Sequence, residues 1–135
     1  MLSHVTVAVS DFDRALAFYE AVLTSIGLYR SFHSEDRQAA SFRKPHHRRP
    51  LFFVVKPFNG EAAEPGNGPM VAFECATRQE VDEVHALALT LGAVDEGAPG
   101  LRPQYHDDYY GGYLRDTEGN KICFVCHDPA WVGPA

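Results

Sequence analysis

The feature that most restricts how this chain can fold is a repetition. The stretch 3–28, SHVTVAVSDFDRALAFYEAVLTSIGL, has a weaker second copy beginning near Met70. In the first copy Val5, Val7 and Val9 alternate with His4, Thr6 and Ala8, which is the period of a strand with one buried face. Ser10 or Asp11 then caps a helix in which Ala15, Leu16, Tyr19, Val22, Leu23 and Ile26 recur at helical spacing, and Gly27 supplies the left-handed stop. That stripe is suited to cover the valines. His4 and Thr6 therefore point away from the helix, where His4 is either a satisfied structural or surface residue or part of a site.

The second copy repeats the grammar. Val71, Phe73 and Cys75 alternate with Met70, Ala72 and Glu74, Thr77 and Glu80 make a capping box, and Val81, Val84, Ala88 and Leu91 form a stripe that ends at Gly92. His4 and Met70 lie 66 residues apart, and Gly27 and Gly92 lie 65 apart. Further strands are expected over 28–33, 39–43, 51–55 and 121–126. Matching 41–43 to 113–115, and 56–57 to 127–129, gives an offset of 72 for the later hairpins. The fold class is therefore α+β, two βαβββ modules in one domain of 135 residues. Module 1 spans about 1–57, a Gly/Pro-rich linker 58–69, module 2 about 70–129, and a tail 130–135 in which Trp131 is the one anchor.

Three stretches carry chemistry beyond this frame. The segment 97–112, GAPGLRPQYHDDYYGG, lengthens the second module and reads as a loop whose Tyr105, His106, Tyr109 and Tyr110 suit either a lid over a small ligand or a packing or dimer contact. The run Lys44 to Pro50, KPHHRRP, is either an anion clamp or the solvated tip of a hairpin. Cys123 and Cys126 have the spelling of a redox or zinc pair, but an odd separation on a strand sends the sulfurs to opposite faces.

Composition narrows the partners. A formal charge of -6 repels nucleic acid and anionic lipid, and no apolar run reaches the roughly 20 residues of a membrane span. The N-terminus lacks the basic start of a signal peptide, and three cysteines suit reduced thiols, so a cytoplasmic protein is expected.

The combination of 3–5 (SHV), 11–19 (DFDRALAFY), Gly27, 71–73 (VAF), Gly92, 109–116 (YYGGYLRD) and 118–122 (EGNKI) resembles the vicinal oxygen chelate superfamily, the glyoxalase, bleomycin-resistance and dioxygenase group. The resemblance spans nearly the whole chain and implies that the paired modules form a β-cup with helices outside. In metal-dependent members, one His from the first strand and one acidic or His ligand from the fourth strand of each module surround a divalent ion. The resemblance places His4, Leu51, Met70 and Cys123 at those positions, and only His4 is a standard ligand. No metal residue and no firm cofactor is therefore assigned, and a divalent metal is disfavoured. A soft site from His4, Met70 and Cys123, or a nucleophilic unit from His4, His106 and Cys123, are the minor alternatives.

The expected function is a glyoxalase-like protein that binds, and in one version transforms, a small organic metabolite in the cup. His4 is the catalytic candidate, Thr6, Leu51, Met70 and Cys123 line the floor, and Tyr105, His106 and Tyr110 line the rim. Alternatives are a divalent-metal lyase or dioxygenase that recruits loop ligands, and a non-catalytic protein that sequesters a drug-like molecule. The open sheet edges imply a homodimer.

Overall fold

A computed structural model describes residues 1–130; Trp131 and the anchoring role expected of it lie outside the described residues. The element order is β1 (His4–Ala8), α1 (Phe12–Ser25), β2 (Tyr29–Ser34), β3 (Ala39–Arg43), β4 (Leu51–Val55), then β5 (Met70–Glu74), α2 (Arg78–Thr90), β6 (Val94–Leu101), β7 (Tyr110–Arg115) and β8 (Lys121–Cys126). Each module forms its own four-stranded sheet, β1-β4-β3-β2 and β5-β8-β7-β6, with the outer pair parallel and the rest antiparallel. The sheets are not closed into a barrel.

Side-chain alternation decides which face of each sheet is covered. Val7, Val9, Phe42, Phe52 and Val54 in module 1, and Phe73, Leu114, Ile122 and Phe124 in module 2, join the buried stripes of both helices in one core. A run of rings crosses the junction: Tyr19 and Phe52 are 5.0 Å apart, Phe52 and Phe73 4.9 Å, and Phe73 and Phe124 5.7 Å. The opposite face of module 1, carrying His4 and Thr6, is left open within the chain, whereas on module 2 only the β5 edge with Met70 and Ala72 is exposed.

Asp11 caps α1 through the Arg14 amide, and Thr77 caps α2 through the Glu80 amide. The β7–β8 hairpin does more than turn the chain. Tyr19 of α1 donates its hydroxyl to Asp116, whose carboxylate also accepts from the amides of Glu118 and Asn120. The Asn120 side chain donates to the Ala8 carbonyl, and Glu118 accepts from the amides of Ser10 and Asp11. A module 2 hairpin thus places a carboxylate at the positive end of the module 1 helix, where unpaired amides favour it.

Two sequence expectations are corrected. The segment 97–112 is not all loop: Gly97 to Leu101 belongs to β6 and Tyr110 to Gly112 to β7. Two register shifts absorb the glycines, and Pro99 is tolerated because β6 is an edge strand with no partner for a missing amide. The constant offset of 72 also fails in the last strand. Leu51 lies beside His4 and Lys121 beside Met70, so the counterpart of Leu51 is Lys121 and the counterpart of Cys123 is Phe53. The cause is the hairpin before it, residues 44–50 in module 1 but only 116–120 in module 2.

Candidate functional site

The open face of module 2 is filled by its own long segment. The Tyr109 hydroxyl lies 2.9 Å from that of Tyr113 and 3.7 Å from Cys123 Sγ. Arg102 and Lys121 each stand 5.5 Å from the centre of the Tyr113 ring. Beside them Tyr105 packs on Tyr109 at 4.9 Å, and His106 Nε2 meets His127 Nδ1 at 2.9 Å. A glycine makes this possible, since a Cβ on Gly111 would stand 2.9 Å from the Tyr109 ring; on the other face a Cβ on Gly112 would stand 2.8 Å from His85 Nδ1. Cys123 is fully buried, and burial pushes its thiol above its usual pKa, although the Tyr109 hydrogen bond works against that shift. Burial likewise raises Tyr109, so both groups stay protonated at neutral pH and neither is a ready nucleophile.

Module 1 keeps its face open. The imidazole of His4 is exposed, with Nδ1 3.0 Å from Ser3 Oγ and its edge on Phe53 at 5.6 Å. Where this sheet ends against β5, a groove of about 430 Å³ opens between the modules. Leu51, Pro50 and Phe52 line it from module 1, and Met70, Ala72 and Phe73 from module 2, with basic residues of the β3–β4 hairpin at its rim. A shallower hollow of about 250 Å³ adjoins it over Ser31, Ser41 and Phe53, sharing Arg43, Arg49 and Leu51 with the groove.

The residues singled out from sequence thus separate into three places. Leu51 and Met70 meet in the groove, with His4 next to Leu51 across the sheet and Thr6 next to Phe53. Cys123, Tyr105 and His106 share the tyrosine cluster of module 2. Tyr110 is with neither group: it pairs with Cys126, on the helix side, and its hydroxyl donates to Asp82 of α2 at 2.6 Å while Arg78 covers its ring. Cys126 turns toward the Ala76 carbonyl, opposite to Cys123. Sequence reasoning missed Tyr113 as a site residue. Its signal was its place opposite Cys123, legible only once the register is known.

This geometry can be set against known proteins. The family model of the glyoxalase/bleomycin resistance protein/dioxygenase superfamily matches residues 1–124. The chain belongs to that superfamily. A glyoxalase/bleomycin resistance protein from Albidiferax ferrireducens T118 is 32% identical, with 93% of this chain and 98% of that one covered and a TM-score of 0.83. A family enzyme from Burkholderia phytofirmans PsJN shares the fold at 19% identity, 93% and 98% coverage and a TM-score of 0.73. So does a lactoylglutathione lyase from Agrobacterium tumefaciens, at 20% identity, 93% and 92% coverage and a TM-score of 0.65. Among curated proteins no match was found.

The superfamily's divalent ion is tested by the donors available. With the register corrected, its positions are occupied by His4, Phe53, Met70 and Cys123. Phenylalanine cannot coordinate, a thioether suits hard or borderline ions poorly, and burial keeps the Cys123 thiol protonated. These residues do not fit such an ion, and among the described residues no three His, Cys, Asp or Glu side chains converge as a metal site.

Proposed function

We propose that this superfamily member binds a small organic molecule in the groove between its modules, with His47 on the groove wall and His4, one strand over from Leu51, as the candidate acid–base groups. The observation that carries the reading is the groove itself. Its volume of about 430 Å³ lies within the range of small-molecule sites, and its walls are apolar and drawn from both modules. His4, one strand over from Leu51, is exposed. The open faces carrying His4, Thr6, Phe32 and Met70 support a homodimer in which a second copy covers them. Three free, buried thiols and the lack of a described helix able to cross a membrane support a cytoplasmic setting.

Native mass spectrometry of protein purified without denaturation tests the reading. A co-purifying small molecule, released when Leu51→Arg narrows the groove, is the expected result. A mass equal to the bare chain or its oligomer, together with no ligand-dependent change in thermal stability across a metabolite library, contradicts it. Incubation then separates the roles: a ligand recovered unchanged marks a sequestering protein, and a product that disappears with His4→Ala marks an enzyme.

A further inference from the structure

The hairpin between β3 and β4 holds an unusual concentration of charge. The chain has twelve Lys and Arg against eighteen Asp and Glu, yet Arg43, Lys44, Arg48 and Arg49 lie within seven consecutive residues. Arg43, Lys44 and Arg49 line the groove, and Arg48 lines the adjoining hollow. Among the described residues none of the four makes an ion pair, although five such pairs form elsewhere. The hydrogen bonds that Arg43 and Arg49 do make, to the carbonyls of His47 and Arg48, stay inside the hairpin and leave the rest of each guanidinium without a carboxylate. Lys44 shares the groove lining with Met70 to Glu74 of the second module. Glu74 is the one carboxylate lining the groove. The hairpin tip is exposed, as a cationic tip serving solubility would be, but Arg43, Lys44 and Arg49 also border an apolar groove.

We propose, on the basis that the groove is the ligand site, that it selects amphipathic anions. The acid group, a carboxylate, sulfonate or phosphate, is held by Arg43, Lys44 and Arg49, and the apolar body lies on Leu51, Met70 and Phe73. Unpaired cations in an acidic chain supply local attraction that the molecule's overall charge would not, and a groove with low-dielectric walls strengthens it. Arg43 is held in place by stacking 5.2 Å from the Tyr29 ring, so its donors are oriented before an anion arrives.

Two dyes that differ by one charged group test this. Anilinonaphthalene sulfonate and neutral N-phenylnaphthylamine are titrated by fluorescence, with parallel spectra of protein labelled at its methionine methyls. Only Met1 and Met70 are present, so the Met70 signal reports occupation of the groove. The expected result is a Met70 shift with both dyes and about tenfold tighter binding of the sulfonate. Lys44→Gln/Arg49→Gln then brings the two affinities to within about twofold, as does salt raised to about 1 M in the parent. These side chains are exposed, and an unchanged melting curve confirms that the variant folds. If both dyes move Met70 with equal affinity, or the double variant keeps the sulfonate preference, anion selection is overturned and the groove remains a ligand site. If neither dye moves Met70, the groove reading fails and the anion proposal fails with it.

Discussion

The open faces of the two modules start from the same βαβββ frame and end in opposite states. On module 2 the segment between β6 and β7 lays Tyr109 over Cys123 and Tyr113, and the face is occupied by the chain's own side chains. On module 1 the equivalent connection, residues 35–38 between β2 and β3, is too short to cover anything, and Thr6, Phe32 and His4 remain exposed. One module thus has its face covered by the chain's own tyrosines, and the other leaves its face exposed. A site is created here as much by what one copy lacks as by what the other adds.

The contrast extends to the hairpins, and there the largest effects are expected. Asp116→Ala removes the acceptor shared by Tyr19, Glu118 and Asn120 and strands buried donors, which should cost about 3 kcal/mol in urea unfolding. Lys44→Ala in the corresponding module 1 hairpin should stay within about 0.5 kcal/mol. Equal losses would break the distinction between an anchoring and a solvent-facing hairpin. Gly112→Ala should come next, at about 2 kcal/mol, because its Cβ would press on His85 and Pro99. Tyr109→Phe keeps the ring over the thiol and loses only the hydroxyl contacts, for about 1 kcal/mol, while Tyr109→Ala should speed alkylation of Cys123 relative to Cys126. If Cys123 reacts at the same rate in the parent and in Tyr109→Ala, the second face is not sealed by that ring.

The smallest effect concerns His85, buried in α2 with Nε2 3.3 Å from Asp95 and neither ring nitrogen hydrogen-bonded. Burial lowers its pKa below the ordinary value near 6.5, and the attraction of Asp95 and Asp82 offsets this only in part. As pH falls below that value, the unfolded chain takes up a proton that the folded chain resists. Stability should therefore be full above the ordinary pKa and decline as pH drops through it, and His85→Gln should flatten that slope in urea midpoints measured across the range. Module 1 has no equivalent buried histidine among its described residues, so an unchanged slope in His85→Gln would point to another group altogether.

Much of this was legible from residues alone, and the gaps have physical causes. The alternation at 4–9 and 70–75, the two caps and the glycines at 27 and 92 are local signals, and each local structure follows from a few neighbours. Register depends on turn length, and with hairpins of unequal length the match of Leu51 to Cys123 was out by two residues. Tyr110 was placed on the rim because 97–112 reads as one loop, whereas it opens β7 opposite Cys126 and turns to the helix side. The clasp from Asp116 to Asn120 resembled an ordinary turn because its partners, Tyr19, Ala8 and Ser10, lie about a hundred residues away. His47 and Arg49 join the groove only through the meeting of the two modules, which no single stretch encodes.

Glu118 reaching back to the first turn of α1 has a consequence for how the halves depend on each other. A fragment ending before Met70 would present that helix with two amides lacking their acceptor and with Phe52 facing water instead of Phe73. The first half therefore relies on the second for the acceptor at its helix start and for the cover over Phe52, and a cut in the linker should leave two pieces that fold best when mixed.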